Sequence, residues 1–354
     1  MLRIILSFIP FMVCLCWFVA FALQHRKNDS PKRILTWFLA TCVVLYLCHA
    51  LYLNGGLSDG MESLWALCSL SVYPLYYIYI CELTAKPLAQ KLIVLCLLPG
   101  ALVALAKFLF PGDESDLARK ILFAIQVVTV CCSGYKNLVA FDRKLADVYA
   151  DMEGRETKDV KMLLLAFVVT SVLSSIANAI GKQYFTTSEW LVLALLPFAF
   201  MLYALSYIGF TRTFSVDEYI NDTKDENEAV PVKETEDEKS ELELKIAMLM
   251  NEECIYLRKN LKIGDMANEA GSCRTYVSNY INTKYGQTFL EYINRHRIEH
   301  AKRLLCMPEP EKMWIVAEKS GFSSEQSFYR NFRKFVGMNP AEWLLAEEKK
   351  AIES

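Results

Sequence analysis

The sequence predicts an all-α chain with two regions: a seven-helix transmembrane bundle, then a smaller C-terminal domain with two helix-turn-helix units joined by a linker helix. Three observations predict it. Seven apolar runs, each near the roughly 20 residues of helix that a hydrocarbon core requires, precede Arg212. After Arg212 the chain turns acidic and then basic, with a soluble composition. Within that C-terminal stretch a pattern of helix, glycine turn and helix occurs twice, 50 positions apart. The overall composition agrees with two solvents rather than a single one: 354 residues, 54% hydrophobic and 12% aromatic, mean hydropathy +0.22, formal net charge −2.

The spans are expected near 2–23, 34–53, 62–83, 91–110, 118–140, 161–180 and 189–210. The first has a long apolar region with no small-residue cleavage site before HRKNDSPKR, which reads as a retained anchor. Basic residues set the orientation. Arg26, Lys27, Lys32 and Arg33 follow the first span, Lys86 and Lys91 flank the next basic connection, and Arg143, Lys144, Arg155, Lys158 and Lys161 crowd the third. The intervening loops NGGLSDG and PGDESDL carry no base, and GKQYFTTSE carries only Lys182. Arg119 and Lys120, at the start of the fifth span, break the alternation. The positive-inside rule then puts the N-terminus outside and everything after the seventh span in the cytoplasm, giving a multi-pass protein of the cell inner membrane.

Polar groups in the spans are candidates for sensing. Ser171, Ser174, Ser175 and Asn178 form a stripe on the sixth span, Tyr46, His49 and Tyr52 lie together on the second, and Pro74 interrupts the third. Small and hydroxyl residues also pack helices together in lipid, so these positions carry both readings. Glu82 and Lys136 lie toward cytoplasmic ends, where charged groups snorkel. Nine of the twelve cysteines are in spans, and Cys254, Cys273 and Cys306 are far apart with no C-x-x-C, which argues against a metal or disulfide framework. His296 and His300 are four apart on a helix, but Arg297 stands where a zinc protease motif needs Glu; they read as exposed positions, close to phosphate if DNA binds.

From Asp217 to Ser240 the chain is acidic and poor in apolar residues, as expected of a disordered tether; the domain boundaries fall at 1–212, 213–240, 241–346 and 347–354. The first helix-turn-helix unit runs from Leu261 to Gly286, with Ala267 small at the helix crossing and Gly271 at the turn. A linker helix follows, opened by a capping box of Thr288 and Glu291, with Phe289, Ile293, Ile298, Ala301 and Leu304/Leu305 roughly on one face. In the second unit Ala317 and Gly321 repeat the turn, Ser323 or Ser324 can cap the next helix, and Phe328, Phe332 and Phe335 recur at helical spacing. Val277 and Ile281 take the places of Phe328 and Phe332 in the first unit. With the phenylalanines inward, Glu325, Gln326, Arg330 and Arg333 face out, offering groups that match base edges and phosphates. Gly337 can end this helix, and Asn339, Pro340 and Glu342 open another. Between Arg258 and Lys334 there are 14 Lys and Arg against 8 Asp and Glu, a basic balance that favours DNA through counterion release.

These residues resemble a known family. The segment from about Ser240 to Ala346 looks like the DNA-binding domain of AraC/XylS-type transcription regulators, in the Arg297, Ala301, Leu304 and Leu305 pattern, the Ala317, Gly321 and Phe322 turn, and the closing run FYRNFRKFVGMNP. The resemblance covers under a third of the chain. It implies two recognition helices entering successive major grooves, with Arg274, Thr275 and Asn279 from the first and Glu325, Gln326 and Arg330 from the second offered to bases. Cys273 departs from the family's usual capping Ser, and Thr275 is small for reading a base.

The function expected is a membrane-anchored, sequence-specific DNA-binding transcription regulator whose bundle senses a signal or pairs two copies. The expected partners are double-stranded promoter or operator DNA, the lipid bilayer, a second copy forming a homodimer, RNA polymerase, and a ligand or stimulus that the sequence does not identify. No cofactor and no enzyme activity are expected, since no phosphate-binding glycine loop, nucleophile-base pattern or carboxylate pair stands out in the spans. The rival is a sensor or transporter whose helical tail binds a protein partner.

Overall fold

A computed structural model describes residues 2–24, 29–55, 58–110, 114–180, 195–212, 214, 216–223, 236–307 and 311–353. Among them the regular structure is helical, with a single isolated bridge between Tyr149 and Lys262. The chain divides into two compact units, Met1–Phe141 with Thr157–Val216, and Asp142–Glu156 with Asp217–Ser354.

The first unit holds α1 (Leu2–Leu23), α2 (Ser30–Gly55), α3 (Asp59–Leu83), α4 (Gln90–Leu109), most of α5 (Glu114–Val148), α6 (Lys158–Ile180) and α7 (Leu195–Thr211). Five stretches are long and apolar enough to cross a membrane: Ile4–Leu23, Ser30–Gly55, Gly60–Leu83, Gln90–Leu109 and Arg119–Val148. They coincide with the first five expected spans. Helix α6 covers the sixth, and α7 covers the later portion of the seventh, whose residues 189–194 lie outside the described residues. The count of seven is therefore carried by the sequence pattern beyond the fifth span.

Aromatic rings and aliphatic chains fill the centre of this unit. Phe38, Tyr76 and Phe167 come from three helices and meet with ring centroids 4.7–6.3 Å apart. Ile4, Val94, Phe108, Leu165 and Phe200 are exposed instead, as expected where lipid takes the place of water outside a bundle. Several of the candidate sensing residues are spent on packing. Ser171 is buried, donates to the Phe167 carbonyl at 2.5 Å and shares a hydrogen bond with the Tyr73 hydroxyl. Tyr52 stacks on Trp65 at 5.7 Å, with His49 beside the same ring. The side chains of Ser174, Ser175 and Asn178 lie outside the described residues.

The second unit holds α8 (Val216–Thr223), α9 (Glu236–Asn251), a short 3-10 turn (Ile255–Leu257), α10 (Ile263–Ala270), α11 (Arg274–Tyr285), α12 (Phe289–Leu305), α13 (Met313–Lys319), α14 (Glu325–Val336) and α15 (Pro340–Glu353). Two findings depart from the expected boundaries. Both ends of the supposed tether are helical, α8 with Asp217 and Glu218 in its first turn where the helix dipole favours them, and α9 with Leu242, Ile246, Leu249 and Met250 buried. Residues 224–235 lie outside the described residues. The segment Asp142–Glu156, a basic connection inside the expected 1–212 region, belongs to the second unit.

Candidate nucleic-acid interface

The two helix-turn-helix units are α10–α11 and α13–α14, and α12 runs between them as the common support. In the second unit, Gly321 has φ +82°, and a Cβ there would sit 2.8–2.9 Å from the backbone of Leu257, so both conformation and space demand glycine. Gly271, its counterpart, has φ +64° but would meet only the Lys245 Nζ, at 3.7 Å. Past the turns, Val277 and Ile281 on α11, and Phe328 and Phe332 on α14, are fully buried, as their shared register requires. Ser324 caps α14 by accepting from the Ser327 N–H at 3.2 Å, whereas Cys273 makes no such bond at the start of α11.

The core beneath α14 contains Ile298, Ala301 and Leu305 from α12, Val316 and Ala317 from α13, and Phe322, Phe328 and Phe332. Lys334 Nζ pairs with Glu291 at 2.9 Å, fastening the end of α14 to the start of α12 and holding the Glu291 carboxyl below its usual range. The expected Thr288–Glu291 and Asn339–Glu342 capping boxes are both formed, with backbone N–H to side-chain distances of 2.9–3.3 Å.

Arg297 ties the domain together from within. Its guanidinium is 1% exposed, donates to the carbonyls of Tyr256 at 2.6 Å, Arg258 at 2.8 Å and Ala150 at 3.4 Å, and lies 5.7 Å from the Phe322 ring centroid. Burial pulls its pKa down to about 10, with Asp151 opposing, so it stays charged at neutral pH.

With these faces committed to the core, the side chains exposed on α14 include Glu325, Gln326, Arg330, Arg333 and Lys334, and those on α11 include Thr275, Asn279 and Lys284. Six of the seven expected contact residues thus face outward. Arg274 does not: it is 8% exposed, and as the first residue of α11 it folds back over α10, its Cδ near the open side of Gly264. His296 and His300 correct a second expectation. Both are half-buried, with ring centroids 5.7 and 6.0 Å from Tyr256, which covers that side of α12. Burial is the main cause lowering both pKa values, helped by Arg295 for His296 and Arg303 for His300, while Glu299 opposes it at His296.

A carboxylate, a carboxamide and two guanidiniums along one face of a supported helix are suited to base edges and phosphates. Comparison with known proteins decides the family of this geometry: a family model described as a helix-turn-helix domain, of AraC type, matches residues 266–346. Residues 266–346 are similar to AraC-type helix-turn-helix domains. The chain is 28% identical, across 88 residues, to an uncharacterized response regulatory protein of Staphylococcus epidermidis, covering 25% of this chain and 34% of that one. It is 29% identical, across 98 residues, to an uncharacterized HTH-type transcriptional regulator of Staphylococcus aureus, covering 27% of this chain and 13% of that one. The chain thus spans about a third or less of the length of these relatives. No solved structure matches it.

The AraC-type domain also has polar partners that its own sequence does not announce. Glu153 accepts hydrogen bonds from the Ser323 hydroxyl at 3.0 Å and from the Ser324 hydroxyl, and Glu156 pairs with Arg330 at 2.9 Å. These acids lie 170 or more positions before their partners, so no local pattern points to them.

Proposed function

We propose that this protein is a membrane-anchored transcription regulator that reads duplex DNA with α14 and, more weakly, with α11. The observation that carries this is the outward face of α14, where Glu325, Gln326, Arg330 and Arg333 are exposed on a helix whose opposite face is locked into the α12 core. Gln326 and Arg330 have the amide and guanidinium chemistry for base edges, and Arg333 the charge for a phosphate. Thr275 and Asn279 offer less reach on α11, and with Arg274 folded inward the first unit serves more for position than for sequence choice.

The apolar helices of the first unit anchor the protein in the inner membrane, and the positive-inside pattern puts the DNA-binding domain in the cytoplasm. A second copy in the same membrane would raise effective affinity for paired sites without any new contact, making pairing a natural point of control by a ligand or stimulus, with RNA polymerase as the downstream partner. The test compares wild type with Arg330→Ala on a promoter fragment selected by genomic occupancy. The variant is expected to lose about 1–3 kcal/mol at one base position, and undiminished sequence preference removes α14 from the reading role. Binding should also weaken steeply with salt; an affinity indifferent to salt supports a tail that docks on protein instead.

A further inference from the structure

The segment Asp142–Glu156, made of the last two turns of α5 and the connection toward α6, folds with the second unit. Its root is anchored by main-chain and buried contacts. The Ala150 N–H donates to the Leu261 carbonyl at 3.0 Å, the Ala150 carbonyl receives Arg297, and the Tyr149 hydroxyl donates to Asp222 at 2.6 Å. Lys262 pairs with the same Asp222 at 2.9 Å, and Tyr149 and Ala150 are each 1% exposed. Beyond the root the segment carries two acids to the start and middle of α14. Glu153 takes both hydroxyls of the Ser323–Ser324 turn, and Glu156 takes Arg330.

The groups so engaged are the ones a nucleic-acid backbone would use. Hydroxyls at a helix N-terminus and an exposed guanidinium two turns along are phosphate and base-edge donors, and a carboxylate at each end supplies the same acceptor chemistry as phosphate oxygens. We propose that Glu153 and Glu156, held by the Tyr149–Ala150 anchor, form an intramolecular acidic cap that competes with DNA for α14. The proposal rests on the reading of α14 as a DNA-recognition helix and adds its regulation.

Root and tip of the segment differ in strength, and a switch needs that difference. Ion pairs and hydroxyl contacts at an exposed surface are individually weak and salt-sensitive, so a polyanion can displace the tip while the buried root stays in place. Tethering keeps the tip at high effective concentration, so the capped state dominates until DNA or a pull on the segment's ends overcomes it. Both ends of the segment are continuous with α5 and α6.

The experiment uses the full-length protein in lipid nanodiscs and a mixed-sequence duplex of about four helical turns at modest ionic strength. Glu153→Gln with Glu156→Gln keeps shape and removes the acceptor charges, and Glu252→Gln with Glu253→Gln makes the same change in net charge at exposed positions just after α9. The cap variant is expected to bind at least five-fold tighter than this control; equal affinity overturns the cap. Arg330→Ala in the cap variant tests the underlying reading separately, because a weakened complex keeps α14 on DNA even if the cap fails. If neither background binds the duplex, both proposals fall. Hydrogen exchange gives a second readout: amides 153–156 of the wild type should exchange faster when duplex is added, and unchanged protection with DNA bound overturns the competition.

Discussion

Gly321 shows how one residue fixes the angle at which the second recognition helix leaves its turn. Its left-handed backbone and its contact with Leu257 are separate demands, and alanine violates both. The strained conformation alone costs about 1–3 kcal/mol, and the backbone overlap adds to it. Gly271 faces open space apart from the tip of Lys245, so there only the left-handed conformation is penalised, at roughly 1–2 kcal/mol. Gly321→Ala should therefore lower the unfolding midpoint of the C-terminal region more than Gly271→Ala, as read by hydrogen exchange in α12 under increasing urea; the reverse order would contradict the geometry. The sequence makes the two glycines look equivalent. Only the approach of Leu257, 64 positions earlier, separates them.

At the scale of elements, α12 is the support on which both helix-turn-helix units are built, and its two half-buried histidines make its stability depend on pH. His296 and His300 have folded pKa values below the unfolded value of about 6.5, because burial and the neighbouring Arg295 and Arg303 disfavour the protonated ring. Arg303 also lies 3.4 Å from the His300 Nδ1, which as a neutral nitrogen can accept from it. Below about pH 6.5 the unfolded chain takes up protons that the folded one refuses, so this contribution is intact above that pH and is lost as pH falls through the lowered values. Exchange protection in α12 should drop on acidification over that range, and His296→Gln with His300→Gln should flatten the slope. An unchanged slope would mean that other groups carry it. The two histidines are visible in the sequence as an i, i+4 pair, but what shields them, Tyr256, lies 40 positions before His296 and could not be inferred from helical spacing.

For the whole molecule, orientation rests on the distribution of basic residues among loops and on an odd number of spans. A C-terminal fluorescent-protein fusion that matures only in the cytoplasm should glow, and an epitope placed before Leu2 should be digested by protease added to intact spheroplasts. A dark fusion with a protected epitope would invert the molecule and remove the helix-turn-helix domain from the compartment that holds DNA.

Much of this architecture was legible without coordinates, because the signals are local. A run of about 20 apolar residues states its own solvent. A glycine turn followed by Phe328 and Phe332 four apart states which face of α14 is inward, and the Thr288 and Asn339 caps state where helices begin. What the sequence could not state is whatever depends on partners distant along the chain. The inward fold of Arg274, the carbonyls gathered by Arg297 and the seating of Glu153 and Glu156 on α14 join residues through space rather than through periodicity. Helix caps, glycine turns and apolar runs are sums over neighbouring residues, so the sequence alone determined where they lie. Which recognition face stands open and which is covered is set by contacts between remote segments, so only the tertiary structure decided it.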